Sequence, residues 1–396
     1  MYGCMKAAQL WWEDLSKHLV NNMGFTLNPY DNCVANKMVD GNQCTIIWHV
    51  DDLKISHKNR TVVENMIKQI EKKYGTMSTN ISNKLTYVGM DFEYKGKEVI
   101  ISMVSHIEDA INEFPEELSQ KVITPAGLHL FEVNKNSEKL DFKEAKIFHR
   151  IVAMLLFVCK RARPDVHVPV AFLTTRTTKS DVDDWKKLQR LLGYLKNTLH
   201  LKLHLSGQNG MPVIKWWVDA AYATNPDMKS QTGCVMTLGN GAIISKSSKQ
   251  KINAKSSTEA ELIAASDMSG QMLWTLYFLT AQGYNVKDNI LYQDNKSAIL
   301  LEKNAAMSSS QRTKHIKVRY FFMKDKVENG ELQIIYCPTE NMLGDFFTKP
   351  LQGKQFKEFR KLILGLPNDP IEEGVGIDGH KSQMGNGTHL AKDSEF

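Results

Sequence analysis

The sequence predicts an α/β chain. An α+β first part and a second part built on a mixed sheet with flanking helices are joined by a helical stretch. Three observations lead there. Two strand-like runs, Cys33–Met38 and Cys44–Val50, flank Asp40 and Gly41, a strong hairpin signal. From His106 to His200 the apolar spacing turns helical. From Ile214 strands and helices alternate afresh, as expected of a sheet covered by helices.

Taken in order, Lys6–Met23 reads as a helix with Leu10, Leu15 and Leu19 among its apolar positions and Gly24 as its stop. After the hairpin come Asp51 and Asp52, a short strand Leu53–Ser56, and an amphipathic helix Thr61–Tyr74 ended by Gly75. Leu85–Tyr94 and Glu98–Met103 form a second hairpin around Lys95–Gly96–Lys97. Helices follow at Ile107–Phe114, Lys143–Arg161, Val166–Thr174 and Asp181–Leu199, punctuated by Pro125 and Pro164. Gly207–Pro212 reads as a linker. The second part then runs as strand Val213–Ala220, hairpin Cys234–Leu238 and Ala242–Ser245 turning on Gly239–Asn240–Gly241, and a long helix Ser257–Gln282 ended by Gly283. Strand Asn289–Gln293, helices Lys296–Lys303 and Ile316–Glu328, strand Glu331–Tyr336 and a helical turn Asn341–Thr348 complete it. Beyond Leu366 the chain is polar and glycine-rich, and residues 367–396 are expected to be disordered.

With 396 residues the chain has room for two or three domains. The net charge of +6 and a pI near 8.8 are compatible with a polyanionic partner without establishing one. The 6 cysteines are scattered, with no C-x-x-C pair, which argues against a disulfide framework or structural zinc and for a reduced, intracellular setting, cytoplasm or nucleus. No secretory leader pattern is seen, and the longest apolar stretch, Ile151–Cys159, is too short to span a bilayer. No membrane association is expected.

Four carboxylates of the second part carry chemistry as a set. Asp219 sits in the apolar strand Trp216–Trp217–Val218–Asp219–Ala220, where an acid is costly unless paired or holding a metal. Taken alone it reads as a core aspartate with a partner, Asp294 as a helix N-cap, and Asp345 as an ordinary helical acid. On the long helix, Ser256-x-x-Glu259 reads as a capping box, which gives Glu259 a structural task. Glu261 lies further into the helix, able to project onto the sheet that carries Asp219, and is assigned to the chemistry with Glu259 as the alternative. One acid on a first strand, one on the long helix, one at a later strand end and one near the end can converge above a mixed sheet. Clustered carboxylates repel unless a hard cation neutralises them. Two Mg²⁺ ions about 4 Å apart, with Mn²⁺ as a possible substitute, would activate a water and stabilise the leaving oxygen of a phosphodiester.

The run Lys255–Ser256–Ser257–Thr258–Glu259–Ala260–Glu261 resembles the signature of copia-type retrotransposon ribonuclease H domains. So do Tyr292–Gln293–Asp294–Asn295, Arg312–Thr313–Lys314–His315–Ile316 and Asp345–Phe346–Phe347–Thr348–Lys349–Pro350–Leu351. The resemblance implies a ribonuclease H-like mixed sheet of five strands over 213–351, cutting the RNA strand of RNA–DNA hybrids. Related domains carry their helical Glu in an Ala–Glu–Leu context, here Ala260–Glu261–Leu262. The His-bearing loop that the wider family has before its last Asp is replaced by Cys337–Pro338–Thr339–Glu340–Asn341, as in other copia-type chains. Asn295 is a candidate contact to the hybrid. Arg312 and Lys314 could meet phosphates, and His315 beside them reads more simply as a helix start.

In the first half, Ile46–Ile47–Trp48–His49–Val50–Asp51–Asp52 resembles the Y-V-D-D hairpin of reverse transcriptase palms, and Tyr2–Gly3 through Trp12 resembles the copia-type run Y-G-L-K-Q-A-P-x-x-W. The stretch through Arg163–Pro164–Asp165 resembles the thumb and connection of the same Pol polyproteins. The resemblance thus runs from about Tyr2 to Leu366. It implies a truncated palm (1–105), a helical thumb and connection (106–206) and the ribonuclease H-like domain (213–351). Asp51 and Asp52 would be metal ligands of the palm. Polymerases of this kind need a third Asp, upstream of the Y-G-L-K-Q run, and His49 and Ala8 stand where Tyr and Pro are usual. No polymerase activity is therefore expected of this chain alone. The implied partners are an RNA–DNA hybrid and other Pol or Gag products of a related element. The alternative to an enzyme is a non-catalytic, nucleic-acid-binding remnant of a decayed element.

Overall fold

The computed structural model describes residues 5–119, 121–207, 210–304 and 314–367, and contains both helices and sheets, one of the sheets mixed. Helix α1 (Met5–Lys17) passes into a wider turn, His18–Asn22, and leads to an antiparallel sheet. The sheet is β1 (Thr26–Asn28), β2 (Asp31–Val39), β3 (Asn42–His49) and β4 (Asp52–Ser56), ordered as in the chain. Cys44, Ile46 and Trp48 alternate inward along β3. Helix α2 (Arg60–Tyr74), capped by the Asn59 side chain accepting the Thr61 N–H at 3.0 Å, closes this core with Val62, Met66 and Ile70.

A second antiparallel sheet contains β5 (Lys84–Tyr87), β6 (Met90–Lys95), β7 (Glu98–Ser102), β8 (Leu203–Gly207) and β11 (Gly239–Asn240), in the order β11-β8-β7-β6-β5. The β6–β7 hairpin, which the sequence places at the end of the first segment, therefore pairs with β8 and not with β1–β4. The physical reason is burial: Ile101, Met103 and Leu203 enter one core with the helices α3 (Val104–Asn112), α4 (Phe142–Cys159), α5 (His167–Thr174) and α6 (Val182–Asn197). Asp141 and Asp181 open α4 and α6 as full capping boxes. Beneath them Arg163 holds Asp165 by two 2.8 Å bonds, and the Tyr194 hydroxyl donates to Asp165 at 2.7 Å. The last helix went unread in the sequence, as did β1 and β8. Helix α10 (Gly353–Leu364) packs Phe356, Phe359, Ile363 and Leu364 into this core.

The third sheet runs β12-β10-β9-β13-β14, with β9 (Val213–Ala221), β10 (Gln231–Thr237), β12 (Ile244–Lys249), β13 (Asp288–Gln293) and β14 (Gln333–Tyr336). β12, β10 and β9 are antiparallel; β13 lies parallel to both β9 and β14. The expected turn at Gly239–Asn240 is instead the short strand β11, which bonds to Gly207 and Ser206 and so links the second and third sheets. β12 reaches further than its apolar residues suggest. Its Ser–Lys–Ser–Ser–Lys run has no hydrophobic alternation and is held by edge pairing and by the Gln231 amide donating to Ser247 at 2.9 Å.

Both faces of this sheet are covered. Trp216, Val218 and Ala220 lie under the long helix α7 (Ser257–Ala281), while Val235 and Trp217 face the helical core. The helices α8 (Lys296–Asn304) and α9 (Lys314–Glu328) complete the third unit. The far end of α7 rests on the first sheet. The Trp274 indole N–H donates to the Tyr30 carbonyl at 3.0 Å, Tyr277 stacks on Tyr30 at 5.5 Å, and the Asn28 amide donates to the Phe278 carbonyl at 3.3 Å. The tail expected to be disordered lies outside the described residues from 368 onward. Among the described residues, no helix is long and apolar enough to cross a membrane.

Candidate active site

Parallel β9 and β13 place the carboxyl ends of two neighbouring strands side by side, the position at which open α/β sheets offer a ligand crevice. Trp217 is paired with Tyr292, so Asp219 and Asp294, two residues further along each strand, come to that edge together. Glu261 reaches the same edge from the first turns of α7. One carboxylate oxygen from each of Asp219, Glu261 and Asp294 lies within 4.8 Å of the others. Among the described residues this is the one metal-sized group of acids, cysteines and histidines.

Each member is held by a named donor. The Thr348 hydroxyl donates to Asp219. The Ala220 backbone N–H donates to Glu261 Oε1 at 3.2 Å, and the Thr339 hydroxyl donates to Asp294 Oδ2 at 3.0 Å. Asp219 and Glu261 are 2% and 5% exposed, and no hydrogen bond of ordinary geometry reaches Glu261 Oε2. Burial, then the charges of Asp219 and Asp294, pushes the Glu261 carboxyl well above the usual glutamate range.

Asp345 stands beside this group and not within it. It lies in the 3₁₀ turn Leu343–Phe347, inside the expected helical turn, and is buried against Asp219. Burial, then Asp219, raises its carboxyl to about 7 against the opposing pull of Lys349, whose Nζ lies 2.7 Å from Asp345 Oδ1. Two glycines allow this turn to sit so close. A Cβ on Gly344 would lie 2.8 Å from the Asp219 Cβ and 3.0 Å from its backbone nitrogen. One on Gly233 would lie 2.7 Å from the Gly344 carbonyl oxygen.

Glu259 does the work of a helix start. Its N–H donates to the Ser256 hydroxyl at 3.2 Å, and its carboxylate accepts the Lys255 N–H at 2.6 Å, one residue before the cap. The cap of α8 is Asn295, whose Oδ1 accepts the Ala298 N–H at 3.0 Å. That bond relieves Asp294 of capping and gives Asn295, read from the sequence as a hybrid contact, a structural task. Arg312 lies outside the described residues, and Lys314 and His315 open α9 with side chains outside them.

Val50, at φ 56°, and Asp51 form the turn between β3 and β4, and Asp52 opens β4 paired with His49; both acids are exposed. Among the described residues no third ligand group joins them. Thr339, Thr348 and Lys349 were missed by the sequence reading, although Thr348 and Lys349 follow Asp345 by three and four residues, a spacing that brings side chains to one side of a tight turn.

No protein-family model matches the chain. It is 26% identical over 375 residues to the retrovirus-related Pol polyprotein from transposon TNT 1-94 of Nicotiana tabacum, covering 92% of this chain and 27% of that protein. The Pol polyprotein from transposon RE1 of Arabidopsis thaliana is 26% identical over 92% of this chain and 24% of its own length. The transposon Ty1-ER2 Gag-Pol polyprotein of Saccharomyces cerevisiae is 25% identical over 90% and 21%. Among solved structures, ribonuclease H1 of Halobacterium salinarum covers 33% of this chain and 87% of its own at 16% identity and a TM-score of 0.22. The prototype foamy virus protease–reverse transcriptase covers 86% and 38% at 12% identity and a TM-score of 0.25. Over nine-tenths of its length, then, the chain is similar to copia-type and Ty1 Pol polyproteins of retrotransposons, and it spans about a quarter of the length of these relatives.

Proposed function

We propose that the chain hydrolyses the RNA strand of RNA–DNA hybrids, with divalent cations (Mg²⁺, or Mn²⁺ in its place) held by Asp219, Glu261, Asp294 and Asp345. The observation that carries this reading is Glu261 Oε2. It is a buried carboxylate oxygen that no hydrogen bond of ordinary geometry reaches, in a group whose ligand atoms lie within 4.8 Å of one another. An unpaired acid there is destabilising, and an all-oxygen donor set suits a hard cation. Such cations would supply a nucleophile at neutral pH and positive charge for the leaving oxygen of a phosphodiester.

The chain's own residues do the positioning. Thr348, the Ala220 N–H and Thr339 hold Asp219, Glu261 and Asp294 before any substrate arrives. Selection of the hybrid would rest on the 2′-hydroxyls that only its RNA strand presents in the minor groove. Other Pol or Gag products of a related element are the expected companions.

The test is incubation of the full chain with an end-labelled RNA–DNA hybrid and Mg²⁺. The RNA strand is cut, the DNA strand is not, and Asp294→Asn lowers the rate by at least about a hundredfold while hybrid binding persists. Equal behaviour of wild type and variant would leave only a nucleic-acid-binding remnant.

A further inference from the structure

The four acids divide into two unequal places. Asp219, Glu261 and Asp294 form a group open to a cation, whereas Asp219 and Asp345 face the ammonium of Lys349. Lys349 Nζ is 2.7 Å from Asp345 Oδ1 and 4.0 Å from Asp219 Oδ2. Asp345 is 3% exposed, so this lysine is its counter-charge in an otherwise covered site.

The backbone of Lys349 is fixed, its N–H donating to the Asp345 carbonyl at 2.9 Å. The side chain is less confined, at 42% exposed. The ammonium can therefore leave along its four-carbon stem without moving the turn.

Resting on the two-cation reading above, we propose that Lys349 is a built-in counter-ion that holds the Asp219–Asp345 position closed to a second divalent ion and swings out when that ion binds. The Asp219–Glu261–Asp294 group meets this ammonium less closely, through Asp219 Oδ2 at 4.0 Å. The first ion thus enters against little competition, and the second enters in full competition with Lys349. The chain would stay uncleaving at cation levels that fill only the first place, and a bound phosphodiester, drawing the ammonium outward, would favour filling of the second.

The test uses the full chain titrated with Mn²⁺, with bound ion counted by electron paramagnetic resonance and heat by calorimetry. Wild type binds one ion tightly and a second weakly. Lys349→Met tightens the second on the order of tenfold, the worth of a half-exposed ion pair, and leaves the first within about twofold. Lys349→Arg, which keeps the charge, stays near wild type. A measurement on wild type alone covers the case of a misfolded variant: reductive methylation of Lys349, read by mass spectrometry, accelerates once Mn²⁺ reaches the second-site range. Unchanged second-site affinity in Lys349→Met, loss of that site, or methylation indifferent to Mn²⁺ would each overturn the proposal while the first site still binds. Failure of any ion to bind wild type or variant would overturn the nuclease reading as well.

Discussion

Glu302, on α8, is fully buried, and neither of its carboxylate oxygens has a hydrogen-bond partner. The equally buried Gln293 amide lies close enough to favour the charged form slightly, yet no bond of ordinary geometry joins the two. Burial dominates and raises the carboxyl from 4.5 to about 8. The folded chain therefore keeps a proton that the unfolded chain gives up. A raised folded-state value means the contribution to stability is whole below pH 4.5 and is lost as pH climbs to about 8.

Each pH unit in that window costs about 1.4 kcal/mol, so by pH 7 the penalty is roughly 3 kcal/mol. Glu302→Gln keeps the shape of the protonated acid and removes the titration. It also adds an N–H with nothing to accept it, at about 1–3 kcal/mol. The two effects nearly cancel at neutral pH, and the difference in slope is the informative quantity. Urea midpoints should be measured for both proteins from pH 5.5 to 8.5 in the presence of a chelator. The stability difference should move by roughly 3 kcal/mol in favour of the variant between pH 5.5 and 8, then level off. Parallel curves would show that Glu302 is ionised in the fold and would refute the reasoning.

Two further predictions concern the turn that carries Asp345. Gly344→Ala sets a methyl group 2.8 Å from the Asp219 Cβ, and the turn must retreat; a fall of about 1–3 kcal/mol in denaturant stability and at least about a tenfold loss of hybrid cleavage are expected. Thr348→Val removes the hydroxyl that donates to Asp219, and a loss near 1 kcal/mol with weakened Mn²⁺ binding at the first site should follow in melts and titrations.

The third sheet was readable because its strands alternate or run apolar and its helices start and stop on ordinary signals. Ser256 and Gly283 bracket α7 within a residue or two of its ends. The separation of Glu259 from Glu261 was also visible, since a capping acid and an acid facing the sheet differ by their place in the first turns. What was not visible depended on partners distant in the chain. β8 and β11 are short and become strands only because β7 offers β8 an edge and β8 in turn offers one to β11. α10 needs the helical core beneath it, and β12 is too polar beyond Ser245 to announce its full length. Lys349 shows the same limit at the site. Its pairing with Asp345 follows the spacing, but its approach to Asp219 comes from the glycine-cleared seat against β9.

Helix α7 is anchored at both ends. Near its start Glu261 meets the Ala220 N–H, and thirteen residues on Trp274 meets Tyr30, about 20 Å further along the axis at 1.5 Å per residue. A helix fastened in this way tolerates exchange of the letters on its outer face far better than a change in their number. One codon gained or lost between the anchors would turn everything beyond it by about 100° and shift it by about 1.5 Å. Tyr277 would then leave Tyr30, or Glu261 would leave its strand. In the inheritance of this gene, α7 is a stretch where spelling can drift and length cannot.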